Sequence, residues 1–329
     1  VWAGSQMPPY DQDIIAEILE IEDPSKVEFN TVLCGSSFCR RADSLARWLQ
    51  DLAHTAKASR LGRPIHMVWT REDDMRGGNY RPMAVHRGRA GLKDNGQIAG
   101  WQHSVACQSI VEGTPWTGFI TAKGFDRAAV GGFTETKYQI PNFWVDWCRP
   151  ESPVPVAFWR SVGDSQTGFV MESVLDELAH LAGTDPLAFR LDLLRETPRQ
   201  RQVLEMAAKR AGWGKQTGAN QGQGIATTFD DILRSWPETF VAMVADVTVD
   251  DGGLTVDRIF AAVDCGTVVN PDIVRTPIEG SVAFAHSTVF RNANTLEDGY
   301  VQATNFDAYE PTRMSEKPDH VVEIVDSDL

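Results

Sequence analysis

Three helical segments in succession, with hairpin signals both before and after them, restrict the folds open to this 329-residue chain. Each segment repeats apolar residues at the spacing of one helix face, and the middle one follows the start signal Asp185-Pro186. The turn sequences Lys93-Asp94-Asn95-Gly96 and Asp250-Asp251-Gly252-Gly253 indicate antiparallel hairpins on either side. Helices grouped apart from hairpins are typical of the α+β class. The helical segments are residues 171–182, 187–194 and 202–211.

The sequence therefore predicts an α+β fold in which two mixed α/β subdomains are joined by a helical segment. We expect the first subdomain to cover residues 1–160, the helical connection residues 161–214 and the second subdomain residues 215–329. A polar stretch rich in Gly and Gln, residues 215–224, predicts a linker after the helices. In the first subdomain, a short strand is predicted over residues 65–70, directly after Gly62-Arg63-Pro64.

The charge balance restricts the kinds of partner that the chain can bind. Its formal net charge is −14 and its pI is about 4.9, and no basic run offsets this acidity. These values argue against a nucleic acid or an anionic membrane surface as partner. An anionic ligand would need backbone N–H donors and individual arginines. No segment approaches the ~20 apolar residues of a membrane span, so we expect a soluble protein, in either the cytoplasm or the periplasm.

The cysteines and histidines do not predict a metal site. The chain has no CxxC pair and no Cys/His spacing typical of zinc, so the cysteines are expected to be free thiols. The sequence also lacks the GxSxG, P-loop, HExxH and GxGxxG patterns. The five cysteines are Cys34, Cys39, Cys107, Cys148 and Cys265.

Three junctions that lead into helices carry arginine, glycine and small polar residues. They are residues 33–41, which end in two arginines, the segment Arg160-Ser161-Val162-Gly163, and residues 263–271, which end in Asn-Pro. Backbone N–H groups at a helix start attract anions, and glycine lets the backbone approach a ligand closely. Tight structural turns with solvated arginines have the same composition. The residue pattern alone leaves both interpretations open.

The charged segment 67–78 contains the adjacent carboxylates Asp73 and Asp74. Paired carboxylates perform acid–base chemistry when they are close and partly buried. Because Arg71 and Arg76 flank them, a structural ion-pair network is the favoured interpretation.

In this order, the segments resemble the molybdopterin-binding large subunit of the xanthine dehydrogenase/aldehyde oxidase family, and in particular the isoquinoline 1-oxidoreductase beta-subunit type. The similarity runs nearly from end to end and matches the central part of a longer subunit. The motifs that carry it are Val68-Trp69-Thr70-Arg71-Glu72-Asp73-Asp74-Met75, Tyr80-Arg81-Pro82-Met83-Ala84, Trp159-Arg160-Ser161-Val162-Gly163, Asp176-Glu177-Leu178-Ala179, Asp185-Pro186-Leu187-Ala188-Phe189-Arg190 and Val263-Asp264-Cys265-Gly266-Thr267-Val268-Val269-Asn270-Pro271.

The resemblance implies a fold of the molybdenum-hydroxylase large-subunit type and a molybdenum oxidoreductase activity. Such an enzyme hydroxylates an N-heterocycle or oxidises an aldehyde with oxygen from water. Its cofactor would be molybdopterin, in the plain or the cytosine dinucleotide form, and its electrons would leave through iron–sulfur clusters on a small [2Fe–2S] partner subunit. The metal and the pterin carry the chemistry, and protein loops position them.

The resemblance also assigns cofactor-facing residues by position. Arg160 to Gly163 and Gln166 take the place of the family's arginine-containing loop, and Phe38 takes its phenylalanine position. The full set of expected cofactor-binding residues is Gly35, Phe38, Cys39, Arg160, Ser161, Val162, Gly163, Gln166, Thr267 and Asn270.

Four departures from the family pattern qualify these expectations. Cys34 and Cys39 stand where the family has glycine, and Pro277 stands near a usual glutamine contact, which proline cannot replace. The family's catalytic glutamate lies in a Gly-x-Gly-Glu motif that residues 1–329 do not contain, so no catalytic residue is assigned here and the general base is expected beyond the C-terminus. A non-catalytic homologue that keeps the fold for subunit assembly is the alternative.

Overall fold

The computed structural model describes residues 1–34, 40–120, 124–215, 217–230 and 238–327. Within them the chain divides into two compact units. Unit 1 comprises Val1–Arg87, Ser104–Gly131 and Val145–Gln166, and unit 2 comprises Gly88–His103, Gly132–Trp144 and Thr167–Leu329.

Helices and strands alternate along the chain in groups, as in an α+β protein. The helices are α1 (Pro8–Leu19), α2 (Arg47–Ser59), α3 (Arg71–Gly77), α4 (Thr117–Ile120), α5 (Arg127–Val130), α6 (Asp164–Leu181), α7 (Pro186–Leu193), α8 (Pro198–Ala211) and α9 (Pro271–Phe290), and a 3-10 turn covers Pro24–Lys26. The strands are β1 (Trp2–Ala3), β2 (Asn30–Thr31), β3 (Ala84–Leu92), β4 (Ile98–Cys107), β5 (Phe143–Cys148), β6 (Gln221–Asp230), β7 (Thr239–Asp250), β8 (Gly253–Asp264), β9 (Leu296–Glu297), β10 (Tyr300–Val301) and β11 (Asp319–Ile324). None of the helices in these described ranges is long and apolar enough to cross a membrane.

Unit 1 is held together by the packing of α1 against α2. Ile15 and Ala16 of α1 and Leu49 and Ala53 of α2 are buried in one apolar cluster. Leu49 and Ala53 are four residues apart and therefore lie on one face of α2, and the neighbouring positions Ile15 and Ala16 both belong to the buried side of α1. The strands β3, β4 and β5 form a sheet in the order β3-β4-β5.

Unit 2 is built on a four-stranded sheet in the order β11-β8-β7-β6, against which α8 packs. β6, β7 and β8 are antiparallel neighbours, whereas β11 pairs with β8 in parallel. Since α8 buries residues at helical spacing, it presents a single apolar face to the sheet. These residues are Val203, Leu204, Ala207, Ala208 and Ala211.

A buried ion-pair network connects α6, α7 and β6 within unit 2. The fully buried Arg190 guanidinium donates from Nε to Glu172 Oε2 at 2.8 Å, and the Tyr138 hydroxyl donates to Glu172 Oε1 at 2.8 Å. The backbone N–H of Thr227 donates to Oε2 at 3.1 Å. Burial raises the pKa of the Glu172 carboxyl, and the Arg190 charge opposes that rise. Every polar atom of this carboxylate therefore has a partner, which is the condition under which a buried charge is tolerated.

The structure agrees with the sequence analysis in its α+β class, its helices and its two main hairpins. Two local predictions were wrong, one at residues 65–70 and one at residues 215–224. Residues 65–70 alternate in exposure but form no strand, because no neighbouring strand pairs with them among the described residues. The predicted linker at residues 215–224 ends earlier, since Gln221 already begins β6 and pairs with Thr248. The division into residues 1–160, 161–214 and 215–329 stays a prediction.

Candidate functional site

The loop before α6 contains two consecutive residues in the left-handed region. Ser161 has φ 67° and Val162 has φ 47°. A β-branched side chain at positive φ is a genuine conformational outlier, because its Cβ substituents crowd the backbone. A non-glycine residue held in this region lowers the stability of the folded state by about 1–3 kcal/mol, and it keeps this conformation only where surrounding contacts fix it. The loop predicted to face a cofactor therefore has a strained backbone at two consecutive residues.

The next residues of this loop are fixed by the turn that contains α5. A Cβ on Gly163 would lie 2.6 Å from the Ala128 carbonyl oxygen and 2.9 Å from the Gly131 nitrogen, so only glycine fits there. Gln166 donates from Nε2 to the Ala129 carbonyl oxygen at 3.1 Å. The loop and the first turn of α6 are thus docked on a short segment of the same unit.

A narrow pocket lies beside this loop, and three of the predicted residues line it: Val162, Gly163 and Gln166. Its free volume is ≈ 20 Å³, enough for about one water molecule and far below the ~300 Å³ of a pocket that encloses an organic ligand. The pocket can therefore hold one small group or one edge of a larger ligand. Sequence reasoning missed the other nine lining residues, among them Arg81 and Cys107.

Cys107 lies at the end of β4, and its thiol is buried. Burial raises the pKa of this thiol, although the Gln166 amide lies 3.9 Å from Sγ and favours the thiolate. A protonated, buried thiol is a poor nucleophile and a poor metal ligand. Among the residues that the structure describes, no group of three or more His, Cys, Asp or Glu side chains could hold a metal ion.

The third predicted junction, between β8 and α9, is organised by a buried ion pair. Arg199 donates to both carboxylate oxygens of Asp264, at 2.8 and 2.7 Å, and the N–H of Gly266 donates to Asp264 Oδ1 at 3.0 Å. These bonds hold the pKa of the Asp264 carboxyl below its usual value, against the opposing effect of burial. Because Gly266 has φ 75°, the chain turns directly after the strand.

Thr267 and Asn270 follow this turn and are both exposed. Asn270 caps α9, since its side-chain oxygen accepts the N–H of Asp272 at 3.0 Å, and Pro271 begins the helix. Pro277 lies inside α9, where it supplies neither a backbone N–H nor a side-chain amide.

The structure locates the predicted residues in separate groups. Arg160, Ser161, Val162, Gly163 and Gln166 lie together in unit 1, and Arg160 is half-buried. Thr267 and Asn270 lie together in unit 2. Gly35, Phe38 and Cys39 lie outside the described residues. The convergence of three junctions on one cofactor therefore stays a prediction.

The charged segment with Asp73 and Asp74 has the structural role that the flanking arginines suggested. Asp73 and Thr70 form a capping box at the start of α3, and Arg71 pairs with Asp74 at 2.7 Å. Both carboxylates are on the exposed face of the helix, where acid–base chemistry has no buried environment to tune it.

Comparisons with known proteins agree with the motifs. Two family models, each described as "Molybdopterin cofactor-binding domain", match the chain, one over residues 1–193 and the other over residues 175–318. The chain is 30% identical over 337 residues to the isoquinoline 1-oxidoreductase subunit beta of Brevundimonas diminuta, covering 99% of this chain and 41% of the relative. It is 28% identical over 355 residues to the membrane-bound aldehyde dehydrogenase [pyrroloquinoline-quinone] of Gluconacetobacter polyoxogenes, covering 99% of this chain and 44% of the relative.

Solved structures share the fold. The quinoline 2-oxidoreductase of Pseudomonas putida 86 aligns with a TM-score of 0.79 at 12% identity, covering 99% of this chain and 65% of that one. The aldehyde oxidoreductase of Desulfovibrio gigas aligns with a TM-score of 0.65 at 16% identity, covering 92% and 49%. The chain spans less than half the length of the two curated relatives described above. Since the family profile covers residues 1–193 and its second domain residues 175–318, the chain belongs to the molybdopterin cofactor-binding domain family.

Proposed function

We propose that this chain forms the central part of the molybdopterin-binding subunit of a molybdenum hydroxylase. This oxidoreductase would hydroxylate an N-heterocycle or oxidise an aldehyde, taking its oxygen from water. The observation that carries the proposal is the match of two molybdopterin cofactor-binding domains across nearly the whole chain. The substrate classes are those named for the two curated relatives: isoquinoline and aldehyde.

The described residues fit one face of an anionic cofactor. Arg160 offers a guanidinium, and the strained pair Ser161–Val162 leads directly into the start of α6, where the helix dipole places a partial positive charge. Gly163 keeps the loop close to the underlying turn. When bound, the molybdenum–pterin group would supply the redox chemistry. The chain would supply orientation and positive potential through Arg160 to Gly163 and Gln166.

We propose the same role for the other two junctions. Thr267 and Asn270 would contact the cofactor from the turn fixed by Asp264, and Gly35, Phe38 and Cys39 would contact it from the first junction. Residues 1–160 and 215–329 would then form the first and second molybdopterin-binding regions, with residues 161–214 as the helical connection.

The catalytic base and the electron acceptor would come from outside residues 1–329. No Gly-x-Gly-Glu motif occurs in this sequence, so the base is expected in the remainder of a subunit as long as the relatives. Electrons would leave through iron–sulfur clusters on a small [2Fe–2S] partner subunit. The cofactor would be molybdopterin in its plain or cytosine dinucleotide form.

A second candidate is a non-catalytic homologue that keeps the fold for subunit assembly. Pro277 favours this alternative, because a proline inside α9 cannot provide the side-chain amide that the family places near this position. The two candidates differ in whether the intact complex holds molybdenum and pterin.

The test is to co-express the full-length subunit with its small iron–sulfur partner and to measure molybdenum and pterin per complex. We expect both in stoichiometric amounts, and we expect Arg160→Ala to retain less of each. Arg195→Ala is the matched control, because Arg195 is an exposed arginine in a surface ion pair with Asp192. Incubation in ¹⁸O-labelled water with isoquinoline or an aldehyde should label the product. A complex that contains neither molybdenum nor pterin would establish the assembly role instead.

A further inference from the structure

Asp126 is a fully buried carboxylate that no part of the proposed function uses. Its Oδ1 accepts the backbone N–H of Ala128 at 2.8 Å and so caps α5. Its Oδ2 is buried and has no hydrogen-bond partner among the described residues. Burial raises the pKa of this carboxyl, while the backbone N–H groups at the start of α5 oppose the rise. A buried, half-satisfied carboxylate is unfavourable on its own, so its position calls for a physical explanation.

The segment that Asp126 caps forms the support of the cofactor-facing loop. The Ala128 carbonyl oxygen lies 2.6 Å from the place of a Cβ on Gly163, and the Ala129 carbonyl oxygen accepts the Gln166 amide at 3.1 Å. A displacement of a few tenths of an ångström in this segment would therefore reach Gly163 directly.

α5 depends on its cap more than a longer helix would. It has four residues, Arg127–Val130, whereas an isolated helix needs roughly 12–15 residues to be stable in water. Its geometry must come from tertiary contacts and from the two bonds to Asp126, since the Ala129 N–H also donates to the Asp126 carbonyl oxygen at 3.1 Å.

The left-handed pair Ser161–Val162 needs such a support. Both residues would relax to negative φ if the chain after them could move. Gly163 and Gln166, which follow the pair, are the residues docked on the α5 segment. The contacts thus run in one unbroken series from Asp126 through Ala128 and Ala129 to Gly163 and the strained pair.

We propose that Asp126 is a positioning residue for the cofactor-facing loop: by capping α5 it holds Ser161 and Val162 in the left-handed conformation that presents Arg160 to an anionic pterin ligand. The ligand assignment in this inference rests on the proposed function, but the positioning itself rests on contacts within unit 1.

The test compares Asp126→Ala with Asp126→Asn in the full-length protein. Alanine removes the cap, whereas asparagine keeps an oxygen acceptor for the Ala128 N–H and removes the charge. Asp23→Ala is the matched control, because Asp23 caps the 3-10 turn Pro24–Lys26 of the same unit by an equivalent bond to Ser25 N–H. The primary measurement is backbone hydrogen–deuterium exchange of the peptide that covers residues 160–166, in protein prepared without cofactor.

We expect Asp126→Ala to speed exchange in this peptide by about five- to tenfold, the effect of losing one helix cap. Asp126→Asn should restore most of the protection, and Asp23→Ala should leave it unchanged. Exchange of a peptide within α2 serves as a monitor of general unfolding and should not change in any variant. In cofactor-loaded complex, Asp126→Ala should retain less pterin than Asp126→Asn.

Unchanged exchange at residues 160–166 in Asp126→Ala would overturn the proposal. So would faster exchange that appears equally in the α2 peptide and in Asp126→Asn, because that pattern reports loss of the fold and no specific positioning. If the wild-type complex holds no pterin at all, the proposed function fails, but the exchange measurement still decides whether Asp126 positions the loop.

Discussion

Replacement of Arg190 by methionine should destabilise the protein strongly, because it leaves a buried carboxylate without its counter-charge. Arg190 is fully buried and donates to the Glu172 carboxylate at 2.8 Å, to the Glu172 carbonyl oxygen at 2.9 Å and to the Pro186 carbonyl oxygen at 3.2 Å. Methionine fills much of the same space but donates no hydrogen bond. Removal of one partner of a buried ion pair costs about 3–5 kcal/mol.

The control is Arg195→Met, which changes the same residue type just beyond the same helix. Arg195 pairs with Asp192 on the surface, with 62% of its side chain exposed, and an exposed pair contributes about 0–1 kcal/mol. Urea unfolding followed by circular dichroism measures the free energy of unfolding of both variants, with the m-value as a check that the transition stays comparable. We expect a difference of about 3 kcal/mol between them.

The pH dependence of this effect gives an independent check. Burial already raises the pKa of Glu172, and loss of the Arg190 charge should raise it further. A carboxyl with a raised folded-state pKa binds more protons when folded, so its unfavourable contribution grows as the pH rises through the interval between its unfolded and folded pKa values. The deficit of Arg190→Met should therefore be smaller at pH 5 than at pH 8. A loss below about 1 kcal/mol, or a deficit that grows on acidification, would refute this explanation.

Three further variants test other parts of the structure by thermal unfolding. Burial raises the pKa of the Asp11 carboxyl to about 6; the Ser5 hydroxyl opposes this rise and the Asp43 charge adds to it. At pH 7–8, Asp11→Asn should therefore be more stable than the wild type by up to about 3 kcal/mol. This advantage should vanish near pH 4, where the wild-type carboxyl is protonated. Val162→Gly should stabilise the cofactor-free protein by about 1 kcal/mol, because glycine adopts positive φ without strain, and a lower melting temperature would contradict that. Arg199→Met should cost about 3–5 kcal/mol at neutral pH and less in acid, since Asp264, whose pKa Arg199 lowers, is then protonated.

Local signals predicted the elements whose stability is largely local. The helix around residues 186–193 follows an Asp-Pro start that the structure realises as a cap from Asp185 to Ala188, and the Asp250–Gly253 turn joins β7 to β8. The strand predicted at residues 65–70 was wrong because a short local pattern does not show whether a partner strand is present to pair with it. The start of β6 at Gln221 was missed because residues 215–224 have a composition typical of loops. In the structure, Gln221 is nevertheless part of a strand because it pairs with Thr248 of β7.

The candidate site was only partly accessible to sequence reasoning. The arginine-containing loop could be recognised from Arg160 to Gly163, because the motif is contiguous. Its left-handed backbone could not, because valine at residue 162 gives none of the glycine or asparagine signals of that conformation. Cys107 and Ala129 join the loop only through tertiary folding, since they are distant in sequence and carry no motif. Of the missed residues, Arg81, Pro82 and Trp159 had a signal, because they lie in the motifs at residues 80–84 and 159–163.

The parallel pairing of β11 with β8 has a consequence for the order in which unit 2 assembles. β6, β7 and β8 are joined by short or moderate connections, and antiparallel neighbours of this kind pair early because few residues separate them. β11 reaches the same sheet only after α9 and a long excursion, aligning Val321 with Phe260. Closure of so long a loop is slow, and β11 is synthesised after the other three strands of its sheet. Until β11 pairs with β8, the edge of β8 stays exposed. During synthesis this edge is therefore open to strand pairing with another molecule.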